Sequence, residues 1–170
     1  LTQAAIDVCF QIAQGDDLSL VLHAINLVLD LDSDNWLIKQ QAFNILLTKA
    51  LAAPAAEAEP VLNRALELYP NNTIAVTRKA KIIASKEGAQ AALDYMVGKE
   101  QVILNNGVNQ EYLDTKRALV FRLAENNSQA ELSKYTAGMS EEMIAEIALQ
   151  GLRTAVIRGQ SGEQFYKLAE

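Results

Sequence analysis

The sequence predicts an all-α fold, a solenoid of antiparallel helix pairs, and three observations lead to it. Half of the 170 residues are apolar, yet only 6% are aromatic, with three prolines and eight glycines. Alanine and leucine dominate, a mixture that favours helix over strand. Second, two segments rhyme, Val28 to Asn35 and Ala65 to Asn72. Each closes an amphipathic stretch, turns on Asp, Asn, Ser or Pro and leads into another. A third counterpart, Val102 to Gly107, has Leu104 where the proline would stand. Third, small residues recur at fixed steps: Ala58 and Ala65 are seven apart, Ala80 and Ala92 twelve, Ala118 and Ala130 twelve, and Ala137 follows seven later. Paired helices approach closely only where side chains are small, so such offsets mark a helix–helix seam. Cys9, Val21 and Val28 hold the equivalent places in the first pair.

Taken in order, helices are expected at about 2–14, 18–31, 35–52, 56–69, 73–86, 89–104, 109–126, 128–138, 141–158 and 162–169. Gly15, Gly88 and Gly107 mark breaks between them. Ser128 with Glu131 three residues on reads as a capping box. Ser140 followed by Glu141 and Glu142 caps the next helix and sets negative charge at its positive end. The first 142 residues hold about four hairpins. Residues 143–170 break the spacing and read as a capping helix pair of the same domain, since a terminal repeat needs a polar outer face.

This pattern resembles the tetratricopeptide repeat, a helix-turn-helix unit of about 34 residues, and the resemblance implies a right-handed solenoid of antiparallel helix pairs. Ala58, Ala65 and Pro70 match its small residues and closing proline in the second unit, Ala80 and Ala92 in the third, and Ala118, Ala130 and Ala137 in the fourth. The resemblance covers about residues 2–142. The chain departs from the family in lacking its large early aromatic, in Lys99 at a small-residue place, and in Phe43 where the small Ala42 is one residue away.

Chemistry is thinly represented. His23 is the single histidine and Cys9 the single cysteine, so neither a histidine metal cluster nor an internal disulfide is expected. The glycines of Gly159 to Gly162 follow no strand and cannot be a phosphate loop. Glu141, Glu142 and Glu146 fit a solvated helix face. No enzyme, no cofactor and no metal is expected. The net charge of −6 argues against nucleic acid, whose phosphates call for a basic face. No apolar run approaches the ~20 residues of a membrane span. The chain opens at Leu1 and reads as a piece of a longer protein, compatible with the cytoplasm or the periplasm.

The resemblance implies a non-catalytic scaffold for protein–protein interaction, its partner a peptide, a helix, a protein or a second copy of the chain. The first helix of each hairpin would line the concave face. Carried over, the partner-binding residues are Phe10 in the first unit, Leu37, Gln40, Asn44 and Leu47 in the second, Ile74, Thr77 and Lys81 in the third, and Tyr112 and Arg122 in the fourth. Gln40, Asn44, Thr77 and Lys81 are expected to form one strip. Two rival readings stand beside it: an anchoring or regulatory module of a larger enzyme or of a membrane-associated or secretion assembly, and a small-ligand sensor.

Overall fold

The computed structural model describes residues 2–106, 109–126 and 131–169. Among the described residues there are nine α-helices and no strand. They pack as sequence neighbours, and the chain divides into two compact units, one up to Ile82 and one from Ile83.

The first unit contains α1 (Thr2–Ala13), α2 (Leu18–Leu31), α3 (Trp36–Ala52), α4 (Ala55–Leu68) and α5 (Thr73–Lys86) as far as Ile82. Its helices start where short polar side chains satisfy the first backbone donors. Asp17 accepts from the Ser19 and Leu20 amides at 2.9 and 3.2 Å, and Asn35 accepts from Leu37 at 3.1 Å. Asn72 accepts from the Ala75 amide at 3.0 Å ahead of α5. So the rhyming turns are built from helix caps.

α1 packs on α2, α3 on α4, and α2 on both α3 and α4. The expected small residues lie inside: Ala58, Ala65 and Ala80 have no exposed surface, nor have Val21 and Val28, while Cys9 is half-buried. Ala42 and Phe43 are both buried, and Phe43 meets Tyr69 edge-on with ring centroids 4.7 Å apart. Polar links tie the layers. Arg64 Nε donates to Asn26 Oδ1 at 2.8 Å, Arg78 donates to the Ala53 carbonyl at 2.7 Å, and Lys79 pairs with Glu59 at 2.5 Å.

The second unit contains α6 (Ala89–Asn106), α7 (Gln110–Asn126), α8 (Glu141–Arg158) and α9 (Glu163–Ala169). α6 packs on α7, α7 on α8, and α8 on α9. Ser140 caps α8 by accepting from Met143 N at 3.2 Å, and Gly159 ends it in the left-handed conformation at φ 64°. Gly151 lets α9 lie close: a Cβ there would run into the Phe165 ring.

The helix expected at 128–138 does not form over the described part of that span. Residues 131–138 instead carry a 3-10 turn, Ser133–Tyr135, and a bend at Gly138 with φ 77°. Ser128, Ala130 and Gly107 lie outside the described residues. Ala118 and Ala137, expected at a seam, are exposed. The cause is tertiary. Tyr135 is buried and donates its hydroxyl to Asp94 at 2.8 Å while accepting from Gln90. The wholly buried Lys116 pairs with Glu100 and donates to the Ala137 carbonyl at 2.7 Å. Residues 131–139 thus form a strap across α6 and α7.

Candidate functional site

α1 and α3 enclose a trough in the first unit. Its wider part, about 460 Å³, is lined by Gln3, Ile6, Asp7, Phe10, Gln11 and Gln14 of the α1 side and by Asn35, Leu37, Ile38 and Gln41 of the α3 side. A narrower part, about 200 Å³, continues along Gln14, Gln41, Asn44, Ile45, Thr48 and Lys49. Gln14 and Gln41 line both parts. Helical spacing explains the lining: residues 37, 41, 44 and 48 recur on one face of α3, and 3, 7, 10 and 14 on one face of α1.

The floor is apolar, with Ile6, Phe10 and Ile38 buried, while the walls are mostly primary amides. Two ionisable side chains, Asp7 and Lys49, line it. Asp7 accepts from Gln3 Nε2 at 2.9 Å. Lys49 donates to the Gln14 carbonyl at 2.8 Å and reaches Asp16 at 3.4 Å. Asn35 is occupied as the α3 cap and donates to Asp32 at 3.0 Å. Gln40 Nε2 donates to Asn44 Oδ1 at 3.1 Å, which leaves the Asn44 amide nitrogen outside this bond. Among the described residues the side chains of Gln11, Gln14 and Gln41 make no hydrogen bond.

Of the residues expected to meet a partner, Phe10, Leu37 and Asn44 line this trough. Gln40 is half-buried on its shoulder, and Leu47 is half-buried against the core. Ile74 and Lys81 are exposed on α5. Thr77, expected in the strip with Gln40, Asn44 and Lys81, is buried, and its hydroxyl donates to the Thr73 carbonyl at 2.7 Å. Tyr112, expected on the surface, is also wholly buried, with its hydroxyl 3.4 Å from the Met96 carbonyl. Burial pushes its phenol pKa up, with Glu100 adding to the effect. Both side chains are core, because their helices turn those positions inward. Arg122 is exposed on α7 in the second unit. Gln11 and Gln41 were missed by sequence reasoning; each is one residue from a position read as lining, Phe10 and Gln40.

A second cleft of the first unit, about 580 Å³, lies between the starts of α2 and α4 and is lined by Asp16, Asp17, Leu18, Ser19, Leu22, Glu57, Pro60 and Val61. It is larger than either part of the trough, but its carboxylates have local duties. Asp17 caps α2, Asp16 pairs with Lys49, and Glu57 sits in the first turn of α4, where negative charge complements the helix dipole. In the trough, the side chains of Gln11, Gln14 and Gln41 have no such local duty among the described residues.

His23 is exposed on α2 and Cys9 is half-buried on α1. Among the described residues no group of three His, Cys, Asp or Glu could hold a metal ion, and no helix is long and apolar enough to cross a membrane. The titratable groups with displaced pKa values concentrate in the second unit. Burial holds Lys116 below the ordinary lysine value against the pull of Glu100, and burial pushes Tyr95 up to about 12. They serve packing rather than a cleft. Compared with models of known protein families, with curated proteins and with solved structures, the chain matches none.

Proposed function

We propose that this chain is a non-catalytic scaffold for protein–protein interaction, a right-handed solenoid of the tetratricopeptide kind that takes a segment of a partner protein along the first helices of its hairpins. One observation carries the reading: the trough between α1 and α3, lined by apolar side chains and by Gln11, Gln14 and Gln41, whose amides make no hydrogen bond among the described residues. Apolar surface supplies the driving force for docking, and amides satisfy the polar groups that docking takes out of water.

A second reading, a module seated inside a larger assembly, is favoured by a different face. Val8 and Ile12 of α1 and Leu20, Leu27 and Leu31 of α2 are each between 43% and 54% exposed. Exposed apolar side chains gathered on one hairpin favour an interface with another polypeptide.

One experiment separates the two. A photo-crosslinking amino acid is placed at Gln41, at Leu20 or at Leu149 of α8 in the intact protein, and crosslinks are made in its own cells. The scaffold reading expects a discrete adduct from Gln41 and none from Leu149. An adduct from Leu20 alone favours the assembly module, and equal labelling from all three positions discards the trough.

A further inference from the structure

Resting on the reading of the first hairpin as an interface with another polypeptide, we infer that its outer face takes a basic amphipathic helix of a partner protein. The apolar part of that face comes from two helices. Val8 and Ile12 stand one turn apart on α1, and Leu20, Leu27 and Leu31 recur along one side of α2; all five are half-exposed. At about 100° per residue, Val8 and Ile12 point away from Phe10 and Gln14, so this face is not the trough. The leucine stripe also avoids the α4 side of α2, where Leu18 and Leu22 line the second cleft and Asn26 accepts from Arg64.

The charge around the face is one-sided. Residues 1–38 hold six aspartates, Asp7, Asp16, Asp17, Asp30, Asp32 and Asp34, and no lysine or arginine. The rest of the chain carries 15 acidic and 15 basic residues, so the whole net charge of −6 resides in this segment. Its carboxylates bracket the apolar stripe. Asp16 and Asp17 lie in the turn between Ile12 and Leu20, Asp30 precedes Leu31 on α2, and Asp32 and Asp34 lie in the turn behind it. Lys49 reaches Asp16 from α3 at 3.4 Å, but that carboxylate stays fully exposed.

Charge selects the partner. A second copy of the chain on this face would set aspartates against aspartates, and an anionic membrane surface would be repelled in the same way. A segment whose apolar side chains are flanked by Lys or Arg matches both parts. Long cationic side chains lay their stems on apolar surface and carry their heads to the rim. Helix is the form that fits. Leu20 to Leu31 rises about 17 Å at 1.5 Å per residue, roughly three turns. The other sides of α2 are packed by the helices α1, α3 and α4. A partner helix with apolar residues one turn apart seats on such a pair ridge into groove.

The test titrates the whole chain, by fluorescence anisotropy at low salt, with three synthetic helical peptides. One has a leucine stripe at i, i+4, i+7 and i+11 flanked by lysine, one has glutamate in place of lysine, and one shuffles the lysine peptide so that no stripe forms. The lysine peptide is expected to bind at least tenfold more tightly than the other two. Leu20→Gln/Leu27→Gln, at exposed positions, should weaken it at least tenfold and Asp30→Asn/Asp34→Asn at least threefold, while Leu149→Gln of α8 should leave it unchanged. Added salt should weaken the parent chain's binding more than that of the aspartate variant. Equal binding of the lysine and glutamate peptides, both lost in the leucine variant, would overturn the basic partner and leave the face standing as an interface. Equal binding of the shuffled peptide, or a loss in the aspartate variant alone, would reduce the effect to unspecific charge attraction and overturn the inference. A parent-chain dimer in sedimentation that the leucine variant dissolves would assign the face to a second copy instead. If no peptide binds, the inference fails; a crosslinked adduct from Leu20 in cells would then keep the assembly reading, and its absence would sink both.

Discussion

The two units use their polar side chains in different ways. In the first, Asp17, Asn35 and Asn72 finish helix ends while alanine and valine fill the interior, and its amides are left on the surface of a trough. In the second, polar groups go inside: Lys116 and Glu100 are buried as a pair, and Gln90, Asp94 and Tyr135 fasten a strap that is not an α-helix. The first unit therefore repeats a local rule, and the second depends on long-range polar contacts. Regular spacing reveals the former and hides the latter.

The largest effect expected from this contrast is at Lys116. Lys116→Met leaves Glu100 buried without its cation and frees the Ala137 carbonyl. Breaking a buried pair from one side costs about 3–5 kcal/mol. Thermal unfolding should shift accordingly, with faster hydrogen exchange through residues 132–139. Adding Glu100→Leu should recover much of the loss, because a buried pair is often replaceable by apolar side chains. If Lys116→Met melts like the parent chain, the strap is not held by this pair and the contrast between the units fails.

A smaller effect is expected in the seams of the first unit. Ala65 has no exposed surface at the contact of α4 with its neighbours. Ala65→Leu should destabilise by about 1–3 kcal/mol through overpacking, read as a lowered unfolding midpoint in denaturant. The same change at the exposed Ala118 should stay within about 0.5 kcal/mol. Equal effects at the two alanines would show that the seam is not where close approach matters.

The smallest effect is one of pH. The hydrogen bond from the Tyr135 hydroxyl, helped by Gln90 and Lys134, holds the Asp94 carboxyl below its ordinary 3.8. A depressed carboxyl contributes stability that is present above 3.8 and is lost as pH falls through the folded-state value. Exchange of the strap amides should therefore quicken below about pH 4 relative to α7. Asp94→Asn, which keeps an oxygen acceptor, should remove that acid dependence. Acid loosening that persists in Asp94→Asn would place its origin elsewhere.

The ends of the elements were legible almost everywhere. The spans expected for α2, α5 and α8 coincide with the observed ones, and the others differ by two residues or fewer. Alanine spacing located buried positions in the first unit and at Ala92, but it misled at Ala118 and Ala137. Residues 131–138 contain good helix formers, so propensity favoured a helix. The competing demand came from Lys116, Asp94 and Gln90, all far away in sequence, and no local pattern announces it. The trough was half legible. Its helices and its amide character could be read, but its phase on α3 could not. Leu37, Ile38, Phe43, Ile45, Leu46, Leu47 and Leu51 surround that helix with apolar side chains, so its pattern points in no single direction. One residue of slip, about 100° of rotation, exchanges Gln40 for Gln41.

Lys49 joins the last turns of α3 to the end of α1 and the turn behind it, through the Gln14 carbonyl and Asp16. This tether fixes the spacing of the two helices at the narrow end before anything arrives. On the proposed docking reading, an occupant would meet walls already set at their working separation, and less conformational freedom would be surrendered on association. Lys49 would then govern its residence time without touching it: loosening the tether would let the narrow end breathe and quicken escape.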